Sequence, residues 1–333
     1  MKQYSLAYLT IPGTQPVDQI RIAKEAGYDF VSLRTIPMHL PGEPEFLLHK
    51  DQKLFEAVQW ALKEYDIPLM DIELARVRPD LEISEYEPAF EAAARLGGTD
   101  VLGSVWTRDK GYYTQQVGKI AEMAKRYGLN YNVEFLPWAG VRNLQEGMTL
   151  VDQVGCDNLF LMVDTLHAGR AGVTASELGR TDPKYFRFIH LCDGPAGPDG
   201  DPVLSDINDP LMVFTARAGR MYPGEGAIDI AGMVSALPEL PLSIELPNLK
   251  RIEELGVEGH ARRCLETAKA YFAEHNMGCS PGTLYSARHA LIFGACANTA
   301  RNCAEFLYFE IRYSFCSQEC LRVGQVGMGL CPR

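Results

Sequence analysis

The sequence predicts an α/β protein whose strands and helices alternate, and a closed (β/α)8 (TIM) barrel is the fold class that fits best. Two observations carry this prediction: eight short apolar runs recur in the first 275 residues, and amphipathic segments separate them. A doubly wound open sheet is the alternative, but eight units in about 250 residues fit the barrel better. No glycine-rich phosphate loop follows the first run, which weakens a nucleotide-binding interpretation.

The predicted strands share a short run of apolar and β-branched residues bounded by turn residues. In chain order they span 4–10, 30–35, 69–75, 100–106, 130–137, 159–167, 186–193 and 240–247. The predicted helices share apolar residues at helical spacing, as in Leu54, Val58 and Leu62, and several end at a glycine. They span 17–28, 53–67, 85–97, 113–128, 143–154, 229–237 and 257–274.

Composition and charge exclude several functional classes. The 333 residues carry a net charge of −11, whereas nucleic acids and anionic membranes attract clustered Lys and Arg. No apolar run approaches the length of a membrane span, and the N-terminal residues lack the apolar core of a signal peptide. We therefore predict a cytoplasmic protein with no nucleic-acid or membrane partner.

The C-terminal segment differs in composition from the rest of the chain. Residues 278–333 hold six of the nine cysteines and do not continue the alternating pattern. We predict a catalytic barrel over residues 1–275 and an atypical Cys-rich extension over residues 276–333. The extension is an oligomerisation or lid segment, a disordered extension, or sequence that is not native to this barrel; the first of these would make the protein a homo-oligomer.

Four polar residues stand near the C-terminal ends of the last four apolar runs: Glu134, Asp164, His190 and Glu245. A carboxylate or imidazole is costly inside an apolar strand unless it is paired or bound to a metal. In a barrel, functional residues come from the C-terminal ends of the strands, so the four are predicted to form one site. Three carboxylates and one imidazole suit one divalent ion, Mn²⁺, Mg²⁺ or Co²⁺ before Zn²⁺.

On these residues and their neighbours the chain resembles the xylose-isomerase-like barrel superfamily, which includes sugar-phosphate isomerases and epimerases as well as 3-dehydroshikimate and inosose dehydratases. The family's Glu, Asp, His, Glu metal quartet matches VEFLP, VDTLH, IHLCD and IELPN, and His167 matches the His of its D-x-x-H motif. The stretch 222–229, YPGEGAID, matches the family's P-G-x-G-x-[IV]-[DN] motif. The resemblance covers about residues 1–275.

The resemblance implies catalytic roles for Glu134 and Glu245 as general acid and base, with His167 beside the substrate. One departure is notable: many relatives carry Lys two residues after the strand-seven His, where this chain has Cys192. Arg217 or Arg220 is a candidate to replace that charge or to bind an acidic substrate group, unless both are solvated surface residues.

Other candidate substrate-binding residues follow earlier strands. Arg34 and Arg76 would bind a carboxylate or phosphate, and Trp106 would stack on a ring. Trp106 and Trp138 each have two interpretations: the ring either stacks on a substrate ring or covers the end of the apolar core. Glu73 is predicted to pair with Arg76, and the alternative is that it is a further acid or base of the site.

The predicted function is a divalent-metal-dependent isomerase or epimerase that acts on a small polyhydroxylated molecule, a sugar, keto-sugar or sugar phosphate, through an enediolate. The alternative is a lyase of the same fold: a dehydratase acting on a dehydroshikimate-like or inosose-like ring, or an eliminase acting on a 3-keto-glycoside. A repair endonuclease would need more His and Asp ligands and a basic face, which seven His and a charge of −11 do not supply. A non-catalytic barrel would have no reason to keep all four ligands.

Overall fold

A computed structural model describes residues 2–40, 42–195 and 210–277. The predictions made for the C-terminal extension after Met277, including its six cysteines, lie outside the described residues. Within the described residues no helix is both long and apolar enough to cross a lipid bilayer.

Eight parallel strands close into a barrel in sequence order, with β1 hydrogen-bonded to both β2 and β8. The predicted (β/α)8 fold class is therefore confirmed. The strands are β1 (Tyr4–Leu6), β2 (Phe30–Arg34), β3 (Leu69–Val77), β4 (Asp100–Val105), β5 (Asn130–Glu134), β6 (Leu159–Asp164), β7 (Phe186–Leu191) and β8 (Leu242–Ile244).

Helices surround this barrel, and their apolar faces form the main core against the strands. The helices are α1 (Pro16–Ala26), α2 (Gln52–Glu64), α3 (Glu87–Arg95), α4 (Lys110–Arg126), α5 (Leu144–Val154), α6 (Thr165–Arg170), α7 (Ala175–Arg180), α8 (Pro210–Ala218), α9 (Ile230–Ala236) and α10 (Leu249–Glu274). Several of them begin after a residue whose side chain accepts a backbone N–H group of the first turn, as Asp51 does for α2 and Asp109 for α4. Such a side chain satisfies a donor that the helix itself leaves free.

Three helices in the second half of the barrel were not predicted from sequence: α6, α7 and α8. The sixth strand was predicted to extend to residue 167, but the chain turns into α6 at Thr165 because Asp164 caps that helix. Helices α6 and α7 span six residues each, too few for a helical repeat of apolar residues to be distinguished from a strand.

A separate apolar cluster comes from β3, β4, β6 and β7. It consists of Met70, Leu74, Leu102, Met162 and Phe188, all buried. Leu74 and Leu102 of this cluster also line a cavity at the C-terminal ends of the strands.

A polar cluster lies nearer the N-terminal ends of the strands, and we call it the N-terminal polar cluster: Ser32, Asp71, Asp100, Asn132 and Arg187. Asp100 accepts hydrogen bonds from Asn132 (2.9 Å) and from Arg187 Nε (2.6 Å). Asp71 accepts one from the Ser32 hydroxyl. Burial raises the pKa of Asp71 to about 7, although the Ser32 bond lowers it, so this carboxyl is largely neutral below that pH.

Candidate metal centre and active site

The four predicted metal ligands come together at the C-terminal end of the barrel, and we call them the mouth cluster. Glu134 ends β5, Asp164 ends β6, His190 is the next-to-last residue of β7, and Glu245 follows β8 directly. One ligand atom from each of the four lies within 4.8 Å of the others, and all four side chains are buried. Parallel strands in register bring these positions to one level, as the pairing of Asp164 with His190 shows.

The mouth cluster has the unsatisfied atoms expected of a cation site. Glu134 Oε1 and His190 Nε2 are buried without a hydrogen-bond partner among the described residues, and His190 Nδ1 lies 3.3 Å from Glu245 Oε2. Buried polar atoms in native proteins are normally satisfied, by the protein itself or by a bound group. Carboxylate oxygens and an imidazole nitrogen are ligands for Mn²⁺, Co²⁺ and Zn²⁺ alike, so the donor set fits a divalent metal without choosing one.

The electrostatics of the cluster indicate an excess of negative charge. Burial, together with the neighbouring Asp164 and Glu245 carboxylates, raises the pKa of Glu134 well above its usual value. Burial lowers the pKa of His190, but the adjacent Glu245 carboxylate outweighs it and brings that pKa to about 10. Both groups therefore take up protons, which supply the positive charge that a bound cation would otherwise provide.

Arg220 lies against two members of the mouth cluster. Its guanidinium pairs through Nη1 with Asp164 Oδ2 and through Nη2 with Glu245 Oε2 at 2.7 Å. Nη1 also lies 3.2 Å from the Cys192 sulfur. Of the two arginines considered as replacements for the missing lysine charge, Arg220 is therefore the one next to Cys192. Burial raises the pKa of Glu245, but Arg220 and His190 outweigh it and hold that pKa below its usual value.

His167 lies on α6 beside the mouth cluster. Its Nε2 is 3.7 Å from Glu134 Oε1 and 3.9 Å from Asp164 Oδ2. The Trp138 ring packs edge-on against the imidazole, with centroids 5.0 Å apart. Burial lowers the pKa of His167 to about 4, so the imidazole is neutral at pH 7.

A cavity of about 280 Å³ opens above the mouth cluster. Most of the predicted site residues line it, including Arg34, Trp106, Arg217 and Arg220. The rest of its wall is largely apolar, and it comes from α8, with Val213 and Ala216, from β3 and β4, and from the segments that follow β1, β2 and β5. Outside α8 those residues are Leu9, Met38, Leu74, Leu102, Leu136 and Trp138.

Arg217 is exposed at this cavity and makes no ion pair or hydrogen bond with any described residue. The Trp106 indole instead donates its Nε1–H to Ser104 Oγ at 2.8 Å, which fixes the ring in the cavity wall. Among the described residues of this wall, Arg217 is therefore the cation available to bind an acidic group. The Trp106 ring presents an aromatic surface whose orientation is fixed by its hydrogen bond.

The predicted ion pair between Glu73 and Arg76 is wrong. Glu73 Oε2 pairs with Arg34 Nη2 at 3.0 Å, because Arg34 and Glu73 face each other in the register of β2 and β3. Glu43 completes the arrangement with a contact of 3.2 Å to Arg34 Nη1. Arg34 is thus held between two carboxylates, and Arg76 lines a different cavity altogether.

Asp193 is a residue of this region whose role the sequence analysis missed. Its carboxylate accepts backbone N–H groups from Gly224, Gly226 and Ile228 at 2.9–3.1 Å, so it holds the P-G-x-G segment in place. A Cβ at Gly226 would lie 2.3 Å from that carboxylate, which explains the glycine. The signal available in the sequence was the Asp-Gly pair that follows the strand-seven motif.

Comparison with known proteins agrees with this geometry. The model of the xylose isomerase-like TIM barrel family matches residues 20–268. Inosose isomerase from Bacillus velezensis is 24% identical over 288 residues, which cover 80% of this chain and 96% of that protein. Inosose isomerase from Bacillus subtilis is 24% identical over 238 residues, or 67% of this chain and 80% of that protein.

Solved structures show the same fold. A structure of IOLI protein with a bound zinc atom has a TM-score of 0.67 and 19% identity, covering 82% of this chain and 98% of that one. The probable 3-DHS dehydratase AsbF from Bacillus anthracis has a TM-score of 0.60 and 15% identity, and the match covers 79% of this chain and 98% of that one. D-allulose 3-epimerase from Methylomonas sp. in complex with D-allulose has a TM-score of 0.57 and 16% identity, and the match covers 81% of this chain and 97% of that one. With three quarters of its length matched by the family model, this chain belongs to the xylose isomerase-like TIM barrel family.

Proposed function

We propose that this protein is a divalent-metal-dependent isomerase or epimerase that acts on a keto-cyclitol of the inosose type through an enediolate. The convergence of Glu134, Asp164, His190 and Glu245 below a cavity of about 280 Å³ carries the proposal. The relatives named inosose isomerase, and the neighbours named epimerase and dehydratase, support an enzyme of the sugar isomerase and epimerase type. The barrel unit that carries this activity would be residues 1–275.

Glu134, Asp164, His190 and Glu245 would hold the metal ion. When bound, a divalent cation supplies Lewis-acid polarisation of a carbonyl oxygen. The protein's own residues then divide the proton transfer between them. Glu245 lies beside Arg220 and keeps its negative charge, so its carboxylate accepts the proton from the carbon next to the carbonyl.

Glu134 would return the proton as the second glutamate of the mouth cluster, and unlike Glu245 it forms no ion pair with an arginine among the described residues. Two carboxyls with opposite environments form an acid and base pair. His167, neutral and held against Trp138, is positioned to donate or accept a hydrogen bond at a substrate hydroxyl. The Arg220 guanidinium offsets negative charge that develops near Glu245.

Exchange of the acidic proton with solvent tests the proposal directly. The protein is treated with a chelator, reloaded with Mn²⁺, Mg²⁺, Co²⁺ or Zn²⁺, and incubated in D₂O with an inosose or with D-allulose. We expect metal-dependent deuterium incorporation next to the carbonyl, measured by NMR, and faster exchange with the inosose. Failure to retain metal, or exchange that is independent of metal, would contradict the proposal.

A lyase acting on a ring that carries a carboxylate is the second candidate, and Arg217 is the observation that favours it. This exposed guanidinium lines the cavity without a partner among the described residues, so it is available to bind a carboxylate. A lyase would expel the β-hydroxyl from the same enediolate as water, which breaks that carbon–oxygen bond and leaves a carbon–carbon double bond conjugated with the carbonyl. Growth of ultraviolet absorbance with a dehydroshikimate-like substrate, absent in Arg217→Met, would favour the lyase over the isomerase.

The proposed domain boundary has its own test. Helix α10 ends at Glu274, and the family match ends at residue 268. We expect a chain truncated after His275 to keep the exchange rate of the full-length protein within about twofold, since no mouth-cluster residue lies beyond Glu245. Loss of exchange with retained helical circular dichroism would show that the extension contributes to the site.

A further inference from the structure

A second cavity, of about 440 Å³, lies between the segment that joins β2 to α2 and the segment that joins β3 to α3. It shares no lining residue with the catalytic cavity among the described residues. The catalytic mechanism proposed above uses none of its side chains. It is therefore a separate site to be explained.

Arg76 is the residue in this wall that most needs a partner. Its side chain is 4% exposed, yet no described carboxylate lies within ion-pair distance. Nη2 donates to the Met38 carbonyl at 3.0 Å, and Nε is buried without an acceptor among the described residues. Arg34 and Arg220, which are buried to a similar degree, each contact two carboxylates. A buried charge without a counterion is costly, so an anion at Arg76 would be stabilising.

A second donor lies in the same wall. The Thr35 hydroxyl is buried, with its side chain only 2% exposed, and it makes no hydrogen bond with any described residue. Burial also lowers the pKa of Arg76, and the more distant Glu43 carboxylate does not offset that effect. Arg76 and Thr35 therefore line one cavity, and each has a buried donor without an acceptor among the described residues.

The remainder of the wall restricts the type of anion. Ile36, Leu47 and Leu81 contribute apolar surface, which suits a hydrocarbon body. Three exposed carboxylates, Glu45, Glu82 and Glu85, and one exposed cation, Lys50, also line the cavity, and this surplus of negative charge disfavours a phosphate or a polyanion. A single carboxylate on an apolar ring or chain meets both conditions.

We propose that the second cavity binds a small monocarboxylate with an apolar body, whose carboxylate pairs with Arg76 and accepts a hydrogen bond from Thr35. The competing explanation is structural: Arg76 is present only to hold the Met38 carbonyl. The two explanations differ in whether a carboxylate binds and whether Arg76 decides its affinity.

Benzoate is a suitable probe, and neutral benzamide is its isosteric control. Titration calorimetry on the full-length protein should show binding of benzoate and at least tenfold weaker binding of benzamide. Arg76→Met should weaken benzoate binding by roughly tenfold or more, the size of one lost charge-assisted hydrogen bond. The matched control is Arg78→Met, because Arg78 is exposed, pairs with Asp80 and does not line the cavity.

Thr35→Val keeps the shape of the side chain and leaves the positive charge of Arg76 in place. It therefore tests the proposal even if Arg76→Met does not fold. We expect it to weaken benzoate binding several-fold while the thermal midpoint stays close to that of the wild type. The proposal is overturned if wild-type protein binds no benzoate up to about 10 mM, or if benzamide binds equally well. Unchanged benzoate affinity in both variants overturns it as well. None of these results depends on the catalytic proposal, because the readout is binding at another cavity.

Discussion

The barrel contains two buried polar clusters that satisfy their charges differently. In the N-terminal polar cluster, Asp100 accepts from Arg187, Asn132 and Thr99, and Asp71 is neutralised by its raised pKa. Asp71 Oδ2 and Asn132 Oδ1 of that cluster have no hydrogen-bond partner among the described residues, and neither do atoms of Glu134 and His190 in the mouth cluster. Within the described part of the chain, however, the mouth cluster is the group that brings four ligand atoms within 4.8 Å of one another. Both clusters interrupt apolar strands. Burial of a carboxylate alone therefore does not identify a functional site, whereas the convergence of several unsatisfied ligand atoms does identify one.

The largest expected effect comes from removing a proton-transfer group of the mouth cluster. Glu245→Gln should lower solvent exchange of the substrate proton by about 10²–10⁴-fold, because the amide cannot accept the proton. NMR in D₂O measures this rate. Glu64→Gln, at the exposed end of α2, is the matched control and should leave it unchanged. Full exchange in Glu245→Gln would contradict the acid and base assignment.

The N-terminal polar cluster should respond in the opposite way. Arg187→Met leaves Asp100 buried without its cation, and we expect a loss of about 3 kcal/mol in the free energy of unfolding. Arg187 is partly exposed, so the cost stays at the low end for such pairs. Urea denaturation measures it. Exchange per folded molecule should stay near the wild-type rate, and a large drop would show that the two clusters are coupled.

Asp71 tests the N-terminal cluster by pH. Its folded pKa of about 7 exceeds the unfolded value of 3.8, so the folded protein binds the proton more tightly and stability falls as pH rises between these values. Asp71→Asn lacks this titration and still accepts from Ser32. Between pH 5 and pH 8 the free energy of unfolding of the variant, relative to that of the wild type, should therefore rise by at most about 2.5 kcal/mol. Parallel urea curves at both pH values measure the difference, and equal pH dependence would show that Asp71 is ionised in the folded protein.

The smallest effect is expected at Cys192, which takes the place of the usual lysine. Burial raises the pKa of its thiol to about 12, although Arg220 opposes this, so the group is neutral and supplies no charge. Cys192→Ala should reduce exchange by less than about tenfold, the equivalent of roughly 1 kcal/mol. Arg220→Met should reduce it more. The reverse order would mean that the thiol, and not the guanidinium, takes part in catalysis.

Parts of the fold were accessible from sequence for clear reasons. Eight apolar runs with helical segments between them predicted the barrel, and the polar residues at the run ends predicted the mouth cluster. The short helices α6 and α7 were missed because six residues carry too little periodicity. Glu73 was paired with Arg76 because the two lie close in sequence, whereas strand register places Arg34 opposite Glu73.

The sequence by itself determined the type of barrel and the four residues near its C-terminal strand ends, because alternating apolar runs and misplaced charges are local patterns. Only the tertiary structure decided which arginine meets which carboxylate: Arg220 at the mouth cluster, Arg34 between Glu43 and Glu73, and Arg76 at a separate cavity. These pairings depend on strand register and on loops from distant parts of the chain. A long, flexible guanidinium offers no local pattern from which to infer its partner.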